Sequence, residues 1–117
     1  MKRRGEFDLI AEVFAPLARS AAGGTANAFE LGDDAAVVRP PPGFDLVVSV
    51  DAMVRGVHFE HRTDAGDVGR KLLRVNLSDL AAKGAEPIAY VLTACWPPDV
   101  GDDWINRFAA GLAADQA

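Results

Sequence analysis

Leu46-Val47-Val48-Ser49-Val50-Asp51 is a run of apolar, mostly β-branched residues that ends on a carboxylate, the composition of a buried strand with a polar terminus. Just upstream, Ala35-Ala36-Val37-Val38 repeats the apolar pattern and is closed by Pro40-Pro41-Pro42-Gly43, a turn that cannot extend a ladder because proline has no amide hydrogen. Two apolar segments across such a turn predict a hairpin. Further on, Pro87 opens and Pro97-Pro98 closes a third apolar stretch, Ile88 to Trp96, which reads as a third strand.

Helical patterns surround these segments. Val68 to Lys83 predicts a long helix with Asp67 as N-cap and Gly84 at the C′ position, where a left-handed residue commonly ends a helix. Leu73, Leu77 and Leu80 share one face, and Asn76, Asp79 and Lys83 form a polar stripe beside it. Glu6 to Leu17 sets Phe7, Ile10, Phe14 and Leu17 at helical spacing behind an acidic first turn, which suits the helix dipole. From Asp102 and Asp103, residues Trp104, Ile105, Phe108, Ala109, Leu112 and Ala113 make an apolar face still running at Ala117, as if the chain were cut short. Arg19 to Ala28, with Ser20, Gly23, Gly24 and Asn27, reads as a mobile surface loop. The fold class expected is α+β, a mixed or antiparallel sheet flanked by helices.

With 117 residues, 50% hydrophobic and 25% charged, the chain fits one soluble domain with its own core. Twelve basic against 17 acidic residues leave a net charge of −5, which repels nucleic acid and membrane phosphates. No apolar run approaches the ~20 residues of a membrane span, and Lys2-Arg3-Arg4 leads into Gly5-Glu6-Phe7-Asp8 instead of a signal core. A cytoplasmic protein without nucleic-acid or membrane partners is expected. The single cysteine, Cys95, lies in the apolar run Tyr90 to Trp96 and reads as a small buried thiol; an internal disulfide is excluded, and redox chemistry and thiolate zinc sites are disfavoured.

Asp33 and Asp34 precede one expected strand, Asp51 ends the next, and Asp79 lies on the long helix. An antiparallel hairpin would bring Asp34 and Asp51 to the same end, and the helix could add Asp79. Two carboxylates ~4 Å apart repel by about 4 kcal/mol at an effective dielectric of 20, so such a cluster persists only if cations or protons neutralise it, and magnesium, which shares carboxylates with substrate phosphates, is the natural cation. Aspartate is equally at home in turns, at strand ends and on solvated helix faces, so spacing alone leaves both readings open. No G-x-x-x-x-G-K-[ST] or G-x-G-x-x-G run occurs, so phosphates would have to be held by metal ions. His58, between Val57 and Phe59, is either packed or a ligand contact, whereas His61 reads as exposed. Arg70, Lys71 and Arg74 are a solvated basic face or a phosphate contact, and Asp99, Asp102 and Asp103 are loop and helix-start acids.

Four segments, Gly5-Glu6-Phe7-Asp8-Leu9-Ile10, Gly32-Asp33-Asp34-Ala35-Ala36-Val37, Ser49 to Phe59, and Val75 to Ala85, together resemble the thiamine-monophosphate kinase family. The N-x-x-S-D helix and the G-D-D turn are shared with the wider aminoimidazole ribonucleotide synthetase-like superfamily; the opening F-D-L-I-A and the G-V-H-F segment point to the thiamine enzymes. The resemblance implies that residues 1–117 are the N-terminal ATP- and magnesium-binding and dimerisation domain of a two-domain kinase. In that fold the sheets pair into a barrel across a homodimer, and the carboxy-terminal domain lies outside this chain, so the fragment alone is expected to fold without turnover. ATP and magnesium would convert thiamine monophosphate into thiamine diphosphate. Carried over by motif, Asp34, Asp51 and Asp79 are magnesium ligands, Ser49 and the main chain of Val50 are further metal contacts, and His58 is a substrate contact; no side chain is assigned as catalytic.

Two departures are visible. Glu30 stands where the family has the first glycine of G-I-G-D-D, and Val50 stands where it has the threonine of S-T-D. Valine keeps a main-chain oxygen but offers no hydroxyl. The same residues also allow a non-catalytic dimerisation module of this fold, or a sibling synthetase; for selenophosphate synthetase, Cys95 is in the wrong place.

Overall fold

The computed structural model describes residues 2–21 and 31–116. Of the loop expected over 19–28, residues 22–28 lie outside the described residues. A first helical rod consists of α1 (Glu6–Leu9), a π-helical turn (Ile10–Phe14) and α2 (Ala15–Ser20); α3 spans Ala65–Ala82 and α4 spans Asp102–Gln116. All three helical regions read from the sequence are present.

Their ends follow local chemistry. The Asp64 side chain accepts from the Gly66 amide at 2.8 Å, so α3 starts before the expected Asp67, which sits instead in its first turn. At the other end Gly84 is left-handed at φ 65; its amide donates to Ala81 and that of Ala85 to Leu80, both at 3.0 Å, the paired bonds of a Schellman stop. In the first rod, Pro16 has no amide to offer the Glu12 carbonyl, and the π-helical turn lies directly before it. The extra residue in that turn rotates the residues ahead of it relative to those behind. Accordingly Leu9 and Leu17 are buried while Phe7, expected on the apolar face, is 83% exposed.

Helix α4 is central. Ile105 and Leu112 are fully buried, each worth about 1.5–3 kcal/mol in transfer from water, and Phe108, Ala109 and Leu112 pack with Leu17, Ala65, Val68 and Leu73. Arg107 meets Asp64, Gly111 meets Gly66, and Arg74 meets Asp115, so α3 and α4 run side by side in the same sense. Trp96 joins this core, stacking on Phe14 with centroids 6.0 Å apart and meeting Phe108 edge-on at 5.3 Å.

The expected α+β fold is not observed: among the described residues there is no strand or sheet, and hence no barrel, only an isolated bridge between Arg55 and Phe59. The stretches 35–38, 46–51 and 88–96 lie outside regular secondary structure. The proline turn forms, with the Phe44 amide donating to Pro41 at 3.2 Å, but no ladder follows it. β-Branched composition favours an extended backbone, whereas a strand requires a second backbone to receive its amides, and here none is aligned. The side chains point to water instead: Val48 is 80%, Val50 81% and Val91 86% exposed. Cys95, expected buried, is exposed for the same reason.

A methyl group at Gly111 would overlap the Gly66 carbonyl, and one at Gly69 would overlap that of Phe108. Alanine gains about 1 kcal/mol over glycine in a helix interior, but overpacking against immovable backbone costs about 1–3 kcal/mol or more. Gly111→Ala is therefore expected to lower the thermal midpoint by several degrees, whereas Ser78→Ala on the exposed face of α3 leaves it unchanged or slightly higher; calorimetry of the two variants checks this.

Candidate functional site

The segment from Ser49 to Phe59 lies against α3. Ser49 donates its hydroxyl to Asp79 Oδ2 at 3.3 Å, which brings together two of the residues assigned by motif. Asp51 and His58 line one open cleft of about 240 Å3, with Ala52, Met53, Lys71 and Val75 completing its wall.

His58 is held by a tight turn. Gly56, left-handed at φ 82, donates its amide to Phe59, and the His58 amide donates to the Val54 carbonyl at 2.8 Å. The Val54 amide in turn donates to His58 Nδ1 at 2.9 Å. That nitrogen is thus an acceptor, and in the neutral ring the hydrogen is on Nε2. Lys71 on α3 donates to the His58 carbonyl, tying the turn to the helix.

The other assigned residues are more scattered. Asp34 lies in an exposed turn, where its amide donates to the Asp33 side chain at 2.7 Å, and its carboxylate meets none of the described residues. Val50 is exposed. The hairpin that would have carried Asp34 to Asp51 is absent, and among the described residues no three His, Cys, Asp or Glu side chains group closely enough to hold a metal ion. Asn76 is turned back onto its own helix, donating to the Leu72 carbonyl at 2.8 Å.

Lys71 is the cleft residue that the sequence did not single out from its basic neighbours. The signal was present: Lys71, Val75 and Asp79 follow at i, i+4 and i+8, which places them on one stripe of a helix. Arg70 pairs with Asp67 at 3.0 Å and Arg74 with Asp115 at 2.6 Å, so these two serve structural ion pairs.

A second cleft, of about 220 Å3, opens beside the start of α4 and includes Arg55, His61, Asp99 and Arg107. Asp99, read as a loop acid, is also an ion-pair partner: Arg55 Nη1 donates to it at 2.6 Å.

The chain belongs to the family of AIR synthase related proteins, N-terminal domain, whose pattern matches residues 32–117. More particularly, it is similar to thiamine-monophosphate kinases. That of Caulobacter vibrioides is 53% identical over 114 residues, covering 96% of this chain and 31% of the relative. That of Escherichia coli K12 is 40% identical over 108 residues, covering 92% and 32%, and that of Synechococcus elongatus 44% identical over 82 residues, covering 69% and 25%. The chain spans about a third of the length of these relatives or less. No solved structure matches. Among the described residues, no helix is long and apolar enough to cross a membrane.

The hydrogen bond from Arg55 holds the Asp99 carboxyl below the usual carboxylate range, and a backbone hydrogen bond acts in the same direction. Asp115 is lowered likewise by its hydrogen bond from Arg74. A carboxyl depressed in the folded state adds stability above its unfolded value of about 3.9, and that contribution is lost as pH falls through the lower folded value. Carbon-detected NMR titration should find both midpoints below the ordinary aspartate value, and Arg55→Ala should raise that of Asp99 toward it while leaving Asp115 where it was.

Proposed function

We propose that this chain is the nucleotide- and metal-binding part of a thiamine-monophosphate kinase, an ATP-dependent phosphotransferase that converts thiamine monophosphate to thiamine diphosphate. The observation that carries the reading is that Asp51 and His58, from one motif, share a cleft, while Ser49 of that motif bonds Asp79 of the other. The names of the relatives supply the substrate.

The chemistry suits these residues. A phosphate monoester, with a second pKa near 6, is mostly dianionic at neutral pH, so its oxygen can attack the terminal phosphorus of ATP without a base. The new P–O bond forms as the bond to the ADP leaving oxygen breaks. Such transfers depend on positioning and on offsetting charge, which explains why no nucleophile with an adjacent base is needed. In this proposal His58 contacts the substrate, and Asp51, Asp79 and Ser49 supply oxygen ligands to magnesium, with Asp34 and the Val50 carbonyl as further ligands. These are hard oxygen donors, and magnesium is commonly held by one or two carboxylates plus substrate phosphates. When bound, magnesium would neutralise phosphate charge.

We further propose that the working form is a homodimer. The exposed apolar side chains of Val37, Phe44, Val48, Val50, Ile88 and Val91 are more than a solitary chain is expected to leave in water, and a second copy offers a matching surface. Light scattering at micromolar concentration should return twice the chain mass, and Val48→Lys with Val91→Lys should return a monomer; a wild-type monomer overturns the proposal.

The kinase reading is tested by incubating the protein that carries this chain with thiamine monophosphate, ATP and magnesium and measuring thiamine diphosphate by chromatography. Product should form only with magnesium, and Asp51→Asn should lower the rate at least a hundredfold. This chain alone is expected to bind magnesium-ATP without turnover and to gain about 2.7 kcal/mol of stability at a hundredfold excess over Kd, read as a rise in melting temperature that Asp51→Asn abolishes. Equal rises in both proteins would overturn the assignment of Asp51.

A further inference from the structure

We propose that Lys71 is the phosphate-recognising residue of the Asp51–His58 cleft and receives the terminal phosphate of the ester bound there. For the identity of that ester the proposal rests on the kinase reading; for its chemistry it rests on the geometry.

Among the described residues lining the cleft, Lys71 is the single cation. Its neighbours on α3 are already neutralised, Arg70 by Asp67 and Arg74 by Asp115, whereas Lys71 has no carboxylate partner among the described residues. Its one hydrogen bond goes to the neutral carbonyl of His58, which leaves the positive charge uncompensated. An ammonium has three donors, so two remain for a ligand. The carbonyl also restrains a side chain that is otherwise flexible, which lowers the ordering cost of binding.

The surrounding charge makes this cation consequential. Asp51 lines the same cleft and the chain carries −5 overall, so a phosphate dianion entering without Lys71 would meet only repulsion until a metal joined it. Lysine acts on phosphate as a point charge, a role that glutamine cannot fill even though it can still donate to the His58 carbonyl. That difference separates recognition of phosphate from simple anchoring of the turn.

The test is a titration of the protein with inorganic phosphate, followed at the His58 amide by NMR. In the wild type that signal should shift saturably. Lys71→Gln and Lys71→Ala should both weaken binding about tenfold or more, the range for loss of a charge-assisted hydrogen bond, and Lys71→Arg should restore most of it. Wild-type phosphate affinity in either neutral variant, with an unchanged melting temperature, would overturn the proposal. In the turnover assay, a rise in KM for thiamine monophosphate alone assigns the phosphate to the acceptor, and a rise for ATP alone assigns it to the nucleotide; either supports Lys71, and no change in either KM counts against it. If the wild type forms no thiamine diphosphate, the kinase reading fails, while the phosphate titration still decides the role of Lys71.

Discussion

The close approach of α3 to α4 is the contact on which the rest of the structure depends. Gly66, Gly69 and Gly111 lie where the helices meet, and at two of these positions even a methyl group would enter the backbone of the neighbouring helix. Bare backbone at the crossing lets Val68 and Leu73 reach Phe108, Ala109 and Leu112. The glycines cost helix propensity, but the apolar area that they allow to be buried exceeds that cost.

The candidate site depends on the same contact because α3 has two faces. One packs on α4; the other carries Lys71, Val75 and Asp79 toward the segment that holds Ser49, Asp51 and His58. Arg74, bonded to Asp115 through both carboxylate oxygens, further restrains α3 on α4. A shift of α3 would therefore move the wall of the cleft. Rigid elements position phosphate-binding groups more accurately than loops do, and here the loop residue His58 is referred to the helix through the hydrogen bond from Lys71.

For the phosphate chemistry proposed here a net charge of −5 is an unusual setting, and the distribution of cations bears on it. Arg4, Arg55, Arg70, Arg74 and Arg107, five of the 12 basic residues, are engaged with carboxylates, so these charges are committed to holding elements together. What remains near Asp51 is one lysine. A site built this way favours a ligand that brings its own counter-cation, as magnesium-bound nucleotides do.

The helices were legible in the sequence because their signals are local: caps, acidic first turns, the Gly84 stop and a spacing of three to four residues all act within one or two turns. The sequence left His58 as either packed or a ligand contact, and the turn that holds it shows only in the structure. The expected strands failed because Ala35–Val38, Leu46–Asp51 and Ile88–Trp96 contain the propensity for extended backbone but not the partner that would make it a ladder, and the fate of Cys95 followed from that error. Phe7 was misplaced because a spacing of 3.6 assumes an uninterrupted helix, which the π-helical turn before Pro16 is not. By itself the sequence determined which segments are helical and where α3 stops, since each of these is set by bonds between near neighbours. Only the tertiary structure decided that Lys71 faces the cleft, that Arg74 and Arg55 are tethers and that the apolar segments remain uncovered, because each of these depends on which distant backbone or charge comes within reach.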